Sequence, residues 1–246
     1  MSAPHDSGPI EGVFGIERHS KIGTGTTAKR VKAKAFYYVK EVEDDTVEMQ
    51  LINNKLTPCG PIERISKEEL LEDYLPMPQL YKDVLGNLRK VQKALARGDK
   101  FRKRNETFTA EFEYANALDL DEANVRANFG IGLCLLARDE KEKAQEVFDR
   151  IVKIDAAFAD EHKHLFNEYG IALRREKMLQ QAVDYYRRAL ELSSDDENLW
   201  YNLGRALFDM EDWAGCADAA QHCLALNPDH PEGGKLLAYL TKNELI

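Results

Sequence analysis

The cysteines and histidines of this sequence do not stand at the spacings that catalysis or metal binding requires. The four cysteines include no C-x-x-C pair, which favours reduced thiols over disulfide bonds or a zinc site. Cys223 directly follows His222, and neighbouring residues on a helix point apart, so the two do not form a nucleophile–base dyad. His162-x-His164 has no third ligand at a suitable spacing. We therefore expect no enzyme activity, no metal and no cofactor.

Two segments near the start of the chain have compositions found in phosphate-binding sites. Gly23-Thr-Gly-Thr-Thr lacks the G-x-x-x-x-G-K-[ST] pattern of a phosphate loop and is more typical of a flexible arm. The run Lys29-Arg30-Val-Lys32-Ala-Lys34 suits RNA, DNA or an anionic membrane, or else an exposed edge strand whose lysines discourage aggregation. The whole chain has 43 acidic and 34 basic residues, a net charge of -9. This balance argues against nucleic acid as the general partner, and we expect no membrane partner.

Length and hydropathy are those of a globular protein. The chain has 246 residues, of which 43% are hydrophobic, enough to bury a core in one large or two small domains. The densest apolar stretch, residues 129–137, is much shorter than the roughly 18 to 20 residues that span a membrane. The first eight residues have neither a basic nor an apolar region, so no export signal is predicted. We expect a cytoplasmic location.

The positions of proline divide the sequence into two parts. Six of the eight prolines lie at or before Pro78, and the other two are Pro228 and Pro231, so residues 79–227 contain none. Because proline interrupts helix interiors, a stretch this long without it, rich in alanine, leucine and charged residues, predicts consecutive helices.

The first part of the sequence predicts an arm followed by a small β-rich unit. Residues 1–30 show little apolar periodicity and are expected to form a mobile arm. Residues 36–42 and 46–52 are rich in β-forming residues, which predicts a hairpin with one buried face. A third short strand is expected near residues 62–65, and Ser66-Lys-Glu-Glu69 is a capping box that starts a helix running to Tyr74. This β-rich unit, residues 31–75, is too small to be stable alone, so we expect it to pack on the helices that follow.

The helical part repeats a pattern of 34 residues. In blocks of 34 residues counted from Val91, with an insertion at residues 159–162, the same kinds of residue fall at the same positions. Glycine costs about 1 kcal/mol relative to alanine inside a helix, so its recurrence at one position indicates helices in close contact. Larger apolar residues at other positions would fill the space between them. The aligned residues are Gly98, Gly132, Gly170 and Gly204 at the eighth position, Phe101, Leu135, Leu173 and Leu207 at the eleventh, and Ala110, Ala144, Ala182 and Cys216 at the twentieth.

These columns resemble the tetratricopeptide repeat family. Trp200-x2-Leu203-Gly204-x2-Leu207 matches the first half of its repeat, and Ala144-x3-Phe148 and Ala182-x3-Tyr186 match the second half. The resemblance implies a mainly α fold, an α-solenoid of four helix pairs. The predicted solenoid domain is residues 79–246, with repeats at 91–124, 125–158, 163–196 and 197–230 and a capping helix at 231–246.

The resemblance also implies where a partner binds, because the first helices of this family line a concave groove. The groove positions carry eight basic and four acidic residues, a balance of 8 - 4 = +4, which suits an acidic peptide. Asparagines would hold the peptide backbone, and aromatic rings would anchor apolar side chains. The family's carboxylate clamp is not predicted, since only Asn202 stands at a matching column. The candidate groove residues are Arg126, Phe129, Asn167, Arg174, Arg175, Asn198, Tyr201, Asn202 and Arg205.

Two functions follow from this sequence. The preferred one is a non-catalytic scaffold or adaptor that binds an acidic peptide or another protein in the groove. The alternative is a regulatory protein whose β-rich unit binds a nucleotide or another small ligand and signals through the repeats.

Overall fold

The structure is a computed structural model that describes residues 9–22, 29–43, 45–154 and 162–246, with the backbone alone for residues 18–22 and 29–33. The chain divides into two compact units. The first comprises Met1–Ala96 and Ala115–Asn124, and the second comprises Arg97–Tyr114 and Val125–Ile246. Among the described residues, no helix is both long enough and apolar enough to cross a membrane.

The first unit contains a five-stranded antiparallel sheet with the strand order β4-β3-β2-β1-β5. The predicted hairpin is confirmed as β2 and β3, which pair with Val39 opposite Met49. Both of these side chains are at most 1% exposed, because alternate residues of a strand share one face. β4 contains the predicted third strand. The strands are β1 (Glu11–Ile22), β2 (Lys29–Glu43), β3 (Thr46–Ile52), β4 (Pro58–Ser66) and β5 (Leu75–Pro76).

The prediction of a mobile arm over residues 1–30 is wrong for Glu11–Ile22, which form β1 and pair with β2 along their whole length. Val13 and Phe14 are both buried although they point to opposite faces, so the segment lacks the alternation that marks a half-exposed strand. The glycines at 12 and 15 weaken the β signal further. Residues 1–8 and 23–28 of the predicted arm lie outside the described residues.

Helix α1 (Lys67–Asp73) covers one face of the sheet and begins at the predicted capping residue. The N–H of Glu69 donates a hydrogen bond to the hydroxyl oxygen of Ser66 at 3.1 Å. Leu70 and Tyr74 then pack into the core on this face of the sheet. The capping box therefore fixes where the helix starts and which of its residues meet the strands.

The start of helix α2 (Pro78–Lys103) covers the other face, where Val84 packs with Val13 and Ile52. Leu80 and Leu88 lie beside Val84 at helical spacing and extend the same apolar stripe. The first unit therefore continues to Ala96, whereas the sequence places the start of the solenoid domain at residue 79. Periodicity predicts the helix correctly, but it does not reveal which neighbour the apolar stripe contacts.

The remaining helices form consecutive pairs, and the predicted mainly α solenoid fold is confirmed. Helix α4 packs on α6, and α6 packs on α8, so the first helices of successive pairs form one layer. Residues 155–161, which hold most of the predicted insertion, lie outside the described part of the chain. The helices are α3 (Thr107–Leu120), α4 (Val125–Ala137), α5 (Lys141–Ile151), α6 (Lys163–Arg175), α7 (Leu179–Leu192), α8 (Glu197–Asp209), α9 (Trp213–Leu226) and α10 (Pro231–Lys242).

The repeated glycines make room for tyrosine rings in three of the four repeats. The sequence indicates close contact between two helix backbones at these positions, but the observed neighbours at these three are aromatic side chains. Gly204 differs, because its nearest neighbours include Ala219 and the backbone oxygen of Cys216, both at 3.5 Å from a Cβ placed there. Such a Cβ would lie 2.6 Å from the Tyr114 ring at Gly98, 2.4 Å from the Tyr169 ring at Gly132 and 2.5 Å from the Tyr186 hydroxyl at Gly170.

Candidate peptide-binding groove

The candidate groove residues lie on the layer of first helices, in the second unit of the chain. The structure brings the members on α6 and α8 together, and the amide of Asn202 donates to the side-chain oxygen of Asn167 at 3.4 Å. Arg175, which is exposed, pairs with its neighbour Glu176 at 3.0 Å. Asn198 is exposed in the first turn of α8. By helix, the members are Arg126 and Phe129 on α4, Asn167, Arg174 and Arg175 on α6, and Asn198, Tyr201, Asn202 and Arg205 on α8.

The role predicted for Phe129, an apolar anchor in the groove, is wrong because its side chain is 0% exposed. Its ring centroid lies 5.6 Å from that of Tyr169 and 6.4 Å from that of Tyr185, both in edge-to-face geometry. Helix α4 has buried residues on all sides. A groove position copied from the repeat pattern therefore points into the core at this helix.

Three arginines of the predicted basic face are already paired with carboxylates. The three arginines are Arg102, Arg126 and Arg174, and each pairs with a carboxylate on a different helix. Arg174, for example, lies 2.9 Å from Asp209. Partly exposed pairs of this kind stabilise by only about 1 kcal/mol or less each, but they reduce the charge that an acidic ligand can use. The pairs are Arg102–Glu168, Arg126–Asp99 and Arg174–Asp209.

The usable positive charge is concentrated between α8 and α10. Arg205 donates a hydrogen bond to the hydroxyl of Tyr201 at 2.8 Å, and its guanidinium lies 5.9 Å from the centre of that ring. In the described part of the chain, neither Arg205 nor Lys235 forms a salt bridge with a carboxylate. A cation held by a neutral phenol keeps its charge available for an added anion.

Arg205 and Lys235 line a cavity of about 350 Å³ that also has aromatic walls. The rings of Phe208 and Tyr239 meet edge to face at 5.5 Å, and Tyr239 is 50% exposed. Phe208, which lies three residues after Arg205 on α8, is not among the residues predicted from the sequence. The cavity therefore offers two cations beside aromatic surface. Its full lining is Tyr201, Arg205, Phe208, Asp209, Glu232, Lys235, Leu236 and Tyr239.

Asp196 sets the position of α8, the helix that carries Tyr201 and Arg205. Its Oδ1 accepts hydrogen bonds from the N–H groups of Asn198 at 2.8 Å and Leu199 at 3.2 Å, and its other oxygen pairs with Lys163. Burial raises the pKa of this carboxyl, but Lys163 and the two N–H donors outweigh it and leave the pKa below its ordinary value.

Replacing Asp196 with alanine is expected to destabilise the protein by about 1–2 kcal/mol at pH 7, because the cap is lost. Since the folded-state pKa is lowered, the carboxylate stabilises the fold above its ordinary pKa, and this stabilisation is lost as pH falls through the folded value. The urea midpoints of wild type and Asp196→Asn should therefore start to converge as the pH falls below about 4, and meet below the folded-state pKa. A gap between the two proteins that stays constant with pH would contradict this role for the charge.

The cysteines show no sign of an activated nucleophile. All four are free, and Cys134, Cys216 and Cys223 are buried. Burial raises the pKa of Cys134 to about 11 and that of Cys216 to about 11, so both thiols stay protonated near neutral pH. Within the described ranges, no three His, Cys, Asp or Glu side chains are grouped so that they could hold a metal ion.

Comparisons with known proteins agree with the repeat architecture. Two family models, each described as a tetratricopeptide repeat, match residues 126–155 and 173–240. Tetratricopeptide repeat protein 8 of Caenorhabditis elegans is 25% identical over 133 residues, which are 53% of this chain and 26% of that protein. The chain therefore spans about a quarter of the length of this curated relative.

Similar solved structures include those of PilF and MamA. PilF of Pseudomonas aeruginosa has a TM-score of 0.49 and 21% identity, with 65% of this chain and 71% of that chain covered. MamA of Desulfovibrio magneticus has a TM-score of 0.48 and 17% identity, with 63% of this chain and 85% of that chain covered.

Proposed function

The chain is a tetratricopeptide repeat protein, and we propose that it is a non-catalytic scaffold that binds an acidic segment of a partner protein between α8 and α10. The observation that carries this proposal is the cavity where Arg205 and Lys235, without carboxylate partners among the described residues, stand beside Phe208 and Tyr239. A guanidinium fork binds a carboxylate through two hydrogen bonds, and the rings cover an adjacent apolar side chain. The expected ligand is an extended segment that has an acidic residue next to an aromatic or aliphatic one.

Existing ion pairs support one end of the groove as the place where the proposed acidic segment binds. Arg102, Arg126 and Arg174 each face a carboxylate of the same surface, so an acidic ligand would have to displace an existing pair to reach them. At Arg205 no carboxylate has to be displaced, because its partner is the hydroxyl of Tyr201. Asn167 and Asn202 lie next along the layer and could hold the backbone of a longer segment.

Reversing both cavity charges, Arg205→Glu with Lys235→Glu, is expected to abolish partner capture by the tagged full chain. The matched control reverses two exposed cations on the second helices α5 and α7, Arg150→Glu with Arg187→Glu, and thus makes the same change in net charge. Mass spectrometry identifies the proteins recovered from a lysate. The relevant ones are recovered by the wild type and by the control but not by the cavity variant. Peptides from their acidic segments are then titrated against the wild type. Equal recovery by both variants would rule out the cavity as the binding site.

The alternative, a nucleotide site in the β-rich unit, has less support. Among the described residues, the cavity of about 340 Å³ in that unit is lined by the carboxylates of Glu17 and Asp73 and by one cation, Lys34, which lies 3.1 Å from Glu17. Two carboxylates and one lysine give a net negative lining, which repels phosphate groups. The proposed setting for the scaffold is the cytoplasm, and the free, mostly buried cysteines are compatible with a reducing compartment.

A further inference from the structure

The outer edge of β1 offers backbone groups for a further strand. β5 pairs only with Phe14 and Gly15, so in the described residues β1 has a strand neighbour on the β2 side alone from Ile16 to Ile22. The N–H of Met77 donates to the oxygen of Val13 at 2.7 Å on the β5 side. In an antiparallel strand the N–H and C=O of one residue point to the same side, and the side alternates from residue to residue. The backbone groups of every second residue after Val13, including His19 and Lys21, therefore also point to the β5 side. A peptide placed beyond β5 would meet these groups.

A cavity opens at the point where β5 ends. It has a volume of about 340 Å³, and Leu75 on its wall is 71% exposed. A Cβ at Gly15 would come within 3.1 Å of the Phe36 ring and 3.3 Å of Met77, so glycine lets these two side chains pack closely on the floor of the cavity. The first residue of an added strand would stand beside this cavity. Its apolar lining comes from Ile16, Phe36, Leu75 and Met77, and its polar lining comes from Glu17, Lys34 and Asp73.

The ribbon beyond the cavity is basic, in contrast to the whole chain. Residues 17–22 and 29–34 carry six lysines and arginines and one carboxylate, a balance of 6 - 1 = +5 in a chain of net charge -9. The register pairs His19 with Lys32 and Lys21 with Arg30. Residues opposite each other share a face, and faces alternate along a strand, so both pairs belong to the face of Gly15 and Phe36. The cavity and this basic stretch therefore follow one another on the same face.

We propose that this edge of β1 binds an extended acidic segment of another protein as an added strand. The segment runs parallel to β1, so that an apolar residue fills the cavity and acidic residues two and four positions later in the segment lie beside His19 and Lys21. The strand edge supplies main-chain hydrogen bonds, the cavity selects the apolar residue, and the charge selects acidic residues. This site belongs to the first unit and does not depend on the groove between α8 and α10.

The test uses the full chain and a fluorescein-labelled peptide, Leu-Thr-Glu-Thr-Glu-Thr, followed by fluorescence anisotropy. The control peptide Leu-Glu-Thr-Glu-Thr-Thr has the same composition but moves the glutamates to the other face. It is expected to bind at least tenfold more weakly. Every second backbone nitrogen of the added strand faces β1. Methylation of those nitrogens in the first peptide should abolish binding, and methylation of the intervening nitrogens should preserve it. Equal binding of the two peptides, or of the two methylated forms, would overturn strand addition.

Charge reversal on the ribbon provides the matching protein test. Lys21→Glu with Lys32→Glu should lower the affinity for the first peptide at least tenfold. Circular dichroism reports whether the sheet remains folded. Arg150→Glu with Arg187→Glu, the control pair defined above, should not change its affinity. Loss of binding in Arg205→Glu with Lys235→Glu would place the peptide in the groove and overturn the edge site. Binding of a 12-base-pair DNA duplex more tightly than the first peptide would overturn the choice of an acidic peptide as the occupant. So would a dimer, seen by sedimentation, that Lys21→Glu with Lys32→Glu dissociates.

Discussion

Alanine at Gly130 is expected to destabilise the protein by about 2–3 kcal/mol, because it overpacks a closed site. A Cβ at this position would lie 2.4 Å from two atoms of the Tyr114 ring. The ring has no space to retreat, since its opposite edge already faces Gly98, where a Cβ would lie 2.6 Å away. The hydroxyl of Tyr114 also donates to Asp99 at 2.6 Å, which fixes the ring from its end. Urea unfolding followed by circular dichroism measures the change.

The matched control for this substitution is Gly86→Ala in α2, where nothing outside the adjoining backbone of the helix lies within 4 Å of the added Cβ. Here alanine should stabilise the protein by up to about 1 kcal/mol, because glycine is the poorer helix former. The two substitutions add the same methyl group to a helix, so the opposite signs isolate the contact with Tyr114. Equal effects at Gly86 and Gly130 would show that helix propensity, not packing, governs the site.

A double-mutant cycle tests the contact directly. Tyr114→Leu removes the ring, so Gly130→Ala should cost much less in that background than in the wild type. The difference between the two costs is the coupling energy of the added methyl group with the ring. Additive costs would contradict the contact between Gly130 and Tyr114.

The helices of the solenoid were predictable because each repeat packs mainly on its neighbours. A residue such as Ala144 or Ala182 meets nearly the same surroundings one repeat later, and both are 0% exposed. The same environment then selects the same kind of residue, and the register becomes visible in the sequence. The predicted repeats 125–158, 163–196 and 197–230 each contain an observed helix pair, whereas the first, 91–124, cuts through α2, which begins at Pro78.

The details of the groove were less predictable, because they depend on contacts between distant residues. Arg126 and Asp99 are 27 positions apart, and Arg102 and Glu168 are 66 apart, so the sequence shows their charges but not their pairing. The predicted balance of +4 counts these arginines as available. β1 was missed for a related reason, since a strand buried on both faces has no local pattern of alternation.

Alanine at Phe129 is expected to have the largest effect on folding, about 3–5 kcal/mol, because it leaves a cavity in a closed aromatic cluster. The ring meets Tyr169 at 5.6 Å and Tyr185 at 6.4 Å, and the side chain is fully buried. Tyr185 in turn contacts Phe148 at 6.5 Å and Phe166 at 6.2 Å, so the cluster joins α4 to α7. Chemical unfolding of Phe129→Ala gives the cost.

The substitution at Phe129 also separates the two roles of aromatic residues in this protein. Tyr239→Ala removes a half-exposed ring from the α8–α10 cavity, and should cost less than about 1 kcal/mol in stability while weakening partner binding at least tenfold. Phe129→Ala should show the reverse: once corrected for the unfolded fraction, its partner affinity should equal that of the wild type. A lower intrinsic affinity in a fully folded Phe129→Ala sample would return Phe129 to the binding surface, contrary to its burial. The ligand would then have to contact α4 by opening the aromatic cluster, which should appear as faster amide exchange in α4 and α7 on binding.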